Sequence, residues 1–448
     1  MNHTAPGPVL EFGPFVLLTR ERLLLRHGAP VPLAGKAFDL LSLLVSARGE
    51  LVTRERLVAR LWPGVSVGPN SLAVAAAMLR RALGDEGARP AYVASVRGHG
   101  YRFVADVLEL DGSRHLASSE TPGTWKQQSP EHHCLLGRLR WQQRTAEALT
   151  SSIADFERAV GVDPSCAAAY VGMADAYMML GCFGTAVVSP SSVMPKAEKA
   201  AEIALRLAPD LPAAVACIGA LSAIYRRRLG SAERCLRRAI DLDGSYAPAH
   251  QWLSHVLVAT GRFGDAIAEI DEARRLDPLS PVITTTTAWV RWFAGDAQAA
   301  VSLASQAASL HPTFAPAHAV LGLAQQRLGR LDEAVSSFRT AVTLEPAPAP
   351  VSRACLGQAL GAIGDVGGAR TALALLDVAA VHQWVSPVSR AWVHASLHDL
   401  GAAFDCVSRG AGEGDGWALY LHVDPRLDAM RQDPRFEGLA RQAGPTED

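Results

Sequence analysis

Between residues 71 and 102 the sequence sets six side chains suited to gripping phosphate: Ser71, Arg80, Arg81, Ser95, Arg97 and Arg102. Guanidinium groups and hydroxyls donate hydrogen bonds to phosphate oxygens, and a short run of them is the footprint of a surface for polyanions. Val74, Ala75 and Met78 are interleaved with them. These three have no donor for a guanine or adenine edge and read bases only by packing on thymine methyls. Signs of catalysis are missing: there is no G-x-x-x-x-G-K-[ST], no H-E-x-x-H and no G-x-S-x-G. Gly361, Gly364, Gly367 and Gly368 fall at a repeat turn with no strand before them, and His132-His133-Cys134 has no second ligand cluster near it in sequence. A non-enzymatic chain without metal or cofactor is expected.

The elements that must position these residues follow from the same stretch. N-S-L-A-V-A-A-A-M-L-R-R-A-L-G-D predicts a helix capped by Asn70 and stopped by Gly84. Leu72, Ala76, Leu79 and Leu83 form its inward stripe, which places Ser71, Val74, Ala75, Met78 and Arg81 on the opposite side. Tyr92–Val96 and Tyr101–Val104 are aromatic and β-branched runs joined by Arg97-Gly98-His99-Gly100, which reads as a hairpin. Upstream, Val9–Phe12, Phe15–Thr19, Arg22–Arg26 and Val31–Leu33 read as strands, and Ala34–Ala47 as a helix burying Phe38, Leu41, Leu44 and Val45. Thr53 is set to cap a second helix that buries Leu57, Val58 and Leu61.

V-R-G-x-G-Y-R-F after L-R-R-A-L-G-D resembles the winged-helix domain of the OmpR/PhoB-type transcriptional regulators, over roughly residues 9–106. The resemblance implies double-stranded DNA as partner, with the third helix in the major groove and Arg97 of the wing in the minor groove. It places base contacts at Val74, Ala75 and Met78, where relatives often carry hydrogen-bonding side chains. In activating relatives the loop matching Trp62–Pro69 touches RNA polymerase; here it either does so or is simply anchored by a core Trp. Two copies pairing on tandem half-sites, a homodimer on DNA, would restore selectivity that this helix lacks. CadC/ToxR-like relatives carry a transmembrane helix after the domain. The longest charge-free run here, Ala176–Pro195, is broken by Pro190 and Pro195, so no membrane span and a cytoplasmic location are expected.

Charge and cysteine usage agree with that placement. The net charge is −1 over 448 residues, yet residues 1–110 hold 13 Lys+Arg against 9 Asp+Glu, leaving the remainder at −5. Seven scattered cysteines without a C-x-x-C pair argue for reduced thiols.

Residues 111–130, rich in Ser, Gly and Pro, separate a 1–110 head from a 131–448 body. In the body, turns at Pro164, Pro209, Gly244, Pro278, Pro312 and Pro346 settle into a 34-residue period, which is the tetratricopeptide pattern. Its clearest copy places Leu321 and Gly322 on a first helix, Gly329 in the turn, and Ala334, Phe338 and Ala341 on a second. The 45-residue copy holds an extended turn near Gly181–Val193, and Asp424–Leu439 is set to cap the last repeat. The expected architecture is mainly α: an N-terminal winged helix-turn-helix (α+β) followed by an α-solenoid. First helices line the binding face of such solenoids. Met178, Met179, Gln251, His255, Trp289, Trp292, Phe293, Gln326 and Arg327 fall there, as a groove for a protein or peptide, with Trp289, Trp292 and Phe293 as an aromatic floor unless they pack between repeats. The function these features support is a DNA-binding transcriptional regulator whose solenoid senses a partner. The alternative is a scaffold whose winged helix has lost DNA reading and binds protein.

Overall fold

The N-terminal elements alternate short β-prone runs with tight turns. In the computed structural model, residues 9–443 are described apart from 20–22, 27–28, 32, 34, 63–70, 86–89, 97, 111–128, 142–143, 184–186, 279 and 346–348. β1 (Val9–Phe12), β2 (Phe15–Leu18), β3 (Leu23–Arg26) and β4 (Ala29–Val31) form an antiparallel meander, with Gly13 turning at φ 54°. The fourth strand is two residues earlier than the sequence suggests. Pro30 reads as a turn residue, but β4 is an edge strand, where a missing N–H is tolerated.

Next come α1 (Gly35–Ser46), β5 (Leu51–Thr53), α2 (Arg54–Leu61) and α3 (Ser71–Leu83). β6 (Val93–Val96) and β7 (Gly100–Phe103) make the hairpin, and β8 (Leu108–Leu110) returns to pair with β1. The two sheets run β4-β3-β2-β1-β8 and β5-β7-β6. β5 and β8, three residues each, carry too little pattern to be read from sequence. The Thr53 hydroxyl accepts from the Arg56 N–H at 3.3 Å and caps α2. Phe38, Leu41, Leu44 and Val45 of α1 are buried against Leu72, Leu79 and Leu83 of α3 and Leu57 and Leu61 of α2.

From Pro130 on the chain is helical. The helices come in successive pairs: α4 (Pro130–Trp141) with α5 (Ala146–Val162), α6 (Ala167–Gly181) with α7 (Pro190–Leu207), and α8 (Pro212–Ile224) with α9 (Leu229–Leu242). α10 (Ala247–Ala259) packs on α11 (Phe263–Leu276). α12 (Pro281–Phe293) and α13 (Ala297–Leu310) follow, then α14 (Ala315–Arg327) with α15 (Leu331–Leu344). α16 (Pro350–Ala362) with α17 (Val366–Ala380) and α18 (Pro387–Ser396) with α19 (Leu400–Glu413) complete the series. The even-numbered helices α4 to α18 also pack on one another in order, so first helices share one face.

Small residues set the spacing within pairs and between them. A Cβ on Gly322 of α14 would sit 2.8 Å from the Phe338 ring of α15, and one on Gly172 of α6 would sit 2.3 Å from the Phe156 ring. α6 ends at Gly181 and α7 starts at Pro190 and runs on through Pro195, so the interval between the helices of the long repeat is shorter than expected.

Two short 3-10 turns, Gly416–Tyr420 and Pro425–Leu427, then α20 (Asp428–Arg431) and α21 (Phe436–Ala443), end the described chain. α21 packs on α19 as a cap. The chain divides into two compact units, residues 1–126 with 307–312, and residues 127–306 with 313–448. Among the described residues no helix is long and apolar enough to cross a membrane.

Candidate nucleic-acid interface and first-helix face

The expected inward stripe of the third helix, Leu72, Ala76, Leu79 and Leu83, is buried, but two residues expected on the opposite side are buried with it. Ala75 is fully buried in the head's core, and Ser71 is buried at the helix start. Neither presents a side chain to a groove. The accessible side is Ala73, Val74, Ala77, Met78 and Arg81, spaced i, i+1, i+4, i+5 and i+8. Leu72, Leu79 and Leu83 mark the buried stripe, but the alanines beside it match in size those facing solvent, so the width of the buried face cannot be read from residue type. Val74 and Met78 are half-buried, and Arg81 is exposed.

Arg80 is drawn off the surface by the wing. Its Nε and Nη2 donate to the Val93 carbonyl at 3.0 and 2.8 Å, and Nη2 donates to Ser95 Oγ at 2.7 Å. Its guanidinium carbon lies 5.9 Å from the centre of the Tyr101 ring. Arg80 therefore positions helix against hairpin instead of standing free for phosphate, and Ser95 shares its exposed hydroxyl with it.

A second tie comes from Asp85, which in the sequence reads only as the end of a motif. Its buried carboxylate accepts from the backbone N–H groups of Ala91, Tyr92 and Val93 at 2.5, 3.0 and 2.7 Å. Three donors on one carboxylate fix the start of β6 against the end of α3. A signal for this role exists: an Asp directly after the Gly that ends a helix, with backbone donors due at the next strand.

The wing's glycines have distinct duties. Gly98 turns the hairpin at φ 79°, whereas Gly100 lies so close to β5 that a Cβ would meet the Val52 carbonyl oxygen at 2.1 Å. Arg102 is exposed on β7, and no carboxylate pairs with it among the described residues. Arg97 lies outside the described residues, as does the Trp62–Pro69 loop apart from Trp62 itself, which is buried.

On the first-helix face the expected aromatic floor is covered. Trp289, Trp292 and Phe293 are all buried, as are Met178 and Met179. The cover is the chain's own segment 416–427, which packs on α8, α10 and α18. Fully buried Tyr420 lies with its ring centre 4.9 Å from Trp289 and 5.5 Å from Phe293. Its hydroxyl is 2.8 Å from His255 Nδ1, and burial holds the His255 pKa down at about 3, so that ring stays neutral.

Arg426 is buried in the same segment. Its guanidinium carbon sits 3.4 Å from the Trp392 ring centre and about as far from Trp417 (5.4 Å) as from Trp292 (5.5 Å). Asp424, two residues back, neutralises it through Nε at 2.9 Å and Nη2 at 2.6 Å. Of the stretch expected to form a terminal cap, Asp424–Leu427 instead fills the face that was expected to receive a partner. The D-P-R pattern is used twice. Arg435 pairs with Asp433 at 3.0 and 2.8 Å and lies 4.4 Å from the Phe404 ring centre, but on the surface.

Elsewhere on that face, Gln251 donates to Thr286 Oγ1 at 3.3 Å, which gives one of the four buried threonines 284–287 a partner. Gln326 is partly exposed and Arg327 exposed. Among the described residues no group of three or more His, Cys, Asp or Glu is placed to hold a metal ion.

Residues 28–103 match the family model described as transcriptional regulatory protein, C terminal. Residues 219–281 and 285–349 match the tetratricopeptide repeat model. The sensory transduction protein RegX3 of Mycolicibacterium smegmatis is 35% identical over 100 residues, 22% of this chain and 44% of that protein. The transcriptional regulatory protein KdpE of Mycobacterium tuberculosis is 33% identical over 99 residues, again 22% of this chain and 44% of that protein. The chain thus spans less than half the length of these curated relatives. Among solved structures, the RstA DNA-binding domain of Klebsiella pneumoniae in complex with the RstA box is 29% identical, covering 21% of this chain and 95% of that one, with a TM-score of 0.20.

Proposed function

From a chain that joins an OmpR/PhoB-type regulatory domain to tetratricopeptide repeats, we propose a transcriptional regulator that grips duplex DNA through its head and meets protein partners through its body. The observation that carries the reading is the match over residues 28–103, which contains α3 and the wing. Exposed Arg81 and Arg102 face phosphate in this reading, while Val74 and Met78, with Ala73 and Ala77 beside them, lie against base edges and pack on thymine methyls. Arg80 and Asp85 hold helix and wing in one register. Base reading of this kind is tolerant and leans to A·T-rich sites, and two copies on tandem half-sites restore selectivity. In the body, segment 416–427 occupies the aromatic floor, so the partner surface on the first-helix face centres on Gln326 and Arg327.

The test is anisotropy of the full chain with a labelled duplex over a salt series. Affinity should fall linearly on logarithmic axes, and Arg102→Ala should weaken binding and make the slope shallower by about one phosphate contact. The scaffold reading is favoured by one observation, the uncharged α3 face over residues 73–78. It predicts retention that does not respond to salt and is indifferent to Arg102→Ala.

A further inference from the structure

We propose that Cys134 and Cys166 form a dithiol site that closes reversibly to a disulfide under peroxide. The two sulfur atoms, from residues 32 apart in sequence, lie 3.7 Å from each other. Cys134 is on α4, the first helix of the C-terminal unit, buried with Phe156, Ala159 and Ala169. Cys166 is the residue before α6, partly exposed, with no side-chain capping bond to hold its rotamer. A bond of about 2.05 Å needs each sulfur to move less than about 1 Å, which small χ1 adjustments at both residues supply.

The two thiols divide the work by exposure. Burial, and then its neighbour Cys166, push the Cys134 thiol up to about 12, so it is a poor first nucleophile. Cys166, reachable from solvent, gives an electron pair to one peroxide oxygen. The O–O bond breaks, hydroxide leaves with the thiol proton as water, and Cys166 becomes a sulfenic acid. The Cys134 sulfur then attacks the Cys166 sulfur; the S–O bond breaks, and hydroxide leaves with the Cys134 proton as a second water. Two electrons pass from two thiols to one peroxide, and a small dithiol reverses the step by exchange. The product ties α4 to the start of α6 covalently, locking the first repeat.

The experiment treats the full chain with dilute hydrogen peroxide, counts thiols under denaturing conditions and maps cross-links by mass spectrometry. The thiol count should drop from seven to five, with one cross-linked peptide pair, two hydrogens lighter than its parts, joining Cys134 to Cys166. Dithiothreitol should restore seven. Cys166→Ser should abolish the cross-link, and Cys235→Ser, at another partly exposed cysteine, should leave it intact. Retention of all seven thiols overturns the proposal, and so does accumulation of Cys166 sulfinate without a cross-link.

Discussion

Asp85 and Arg426 show how much single side chains carry here. Asp85 is a buried acceptor for three backbone donors, and Asp85→Asn replaces one charged oxygen with a donor facing N–H groups. A loss of about 1.5–3 kcal/mol is expected for bonds to a charged group, read as a lower urea midpoint with unchanged slope. Arg426→Ala leaves Asp424 buried without its partner and empties the space between three tryptophans. That change should cost about 3–5 kcal/mol, whereas Arg435→Ala, at the second and solvated D-P-R, should leave the melt almost unmoved. The two motifs are indistinguishable as text. Their difference lies in what packs over them, and the distant partners Trp292 and Trp392 are over thirty residues away from either in sequence. The place of Ala75 on α3 was unreadable for another reason: the leucine period orients the helix, but an alanine beside the stripe fits a buried or an exposed position equally well.

Elements were more legible than faces. The head's first three strands, its three helices and the wing follow from turn residues and period. The repeat pairs follow from a 34-residue rhythm whose physical basis is visible at Gly322, where only a missing Cβ lets Phe338 lie against α14. Gly322→Ala should therefore destabilise by about 1–3 kcal/mol through overpacking, measured by denaturant unfolding. The inter-helix turns use glycine in the left-handed region at Gly261, Gly295, Gly329 and Gly364, but His398 holds the same kind of turn at φ 59°. An L side chain there costs about 1 kcal/mol, so His398→Gly should raise stability by about that amount in the same assay. What the rhythm did not disclose was the destination of residues 416–427. They form 3-10 turns that lack the helical period, and their apolar residues Trp417, Leu419, Tyr420 and Leu427 read as a cap when no partner element is in view.

At the scale of the molecule, pH acts on acids buried within the repeats. Burial raises Glu345 to about 7 against the lowering hydrogen bond from Ser352, and it raises Asp175 and Asp415 to about 6. Because folded values exceed unfolded ones, the native state binds more protons, and these groups' stabilisation is lost as pH rises through their folded values. Glu345→Gln should therefore gain on the parent in stability between pH 5 and pH 8, tracked by melting temperature at each pH; an unchanged difference would show that this carboxyl is solvated. The occupied first-helix face has a consequence of a different kind. A repeat array with only neighbour-to-neighbour coupling behaves as a one-dimensional chain, free to fray from either end. Here the Arg227 side chain donates to the Ala411 carbonyl at 2.8 Å, the Trp384 backbone N–H donates to the Val187 carbonyl at 3.0 Å, and Tyr420 reaches His255. These contacts join stretches 165 to 197 residues apart in sequence. Such closure couples early and late repeats into one cooperative transition, and it slows folding, because a long loop must close before the contacts reward it.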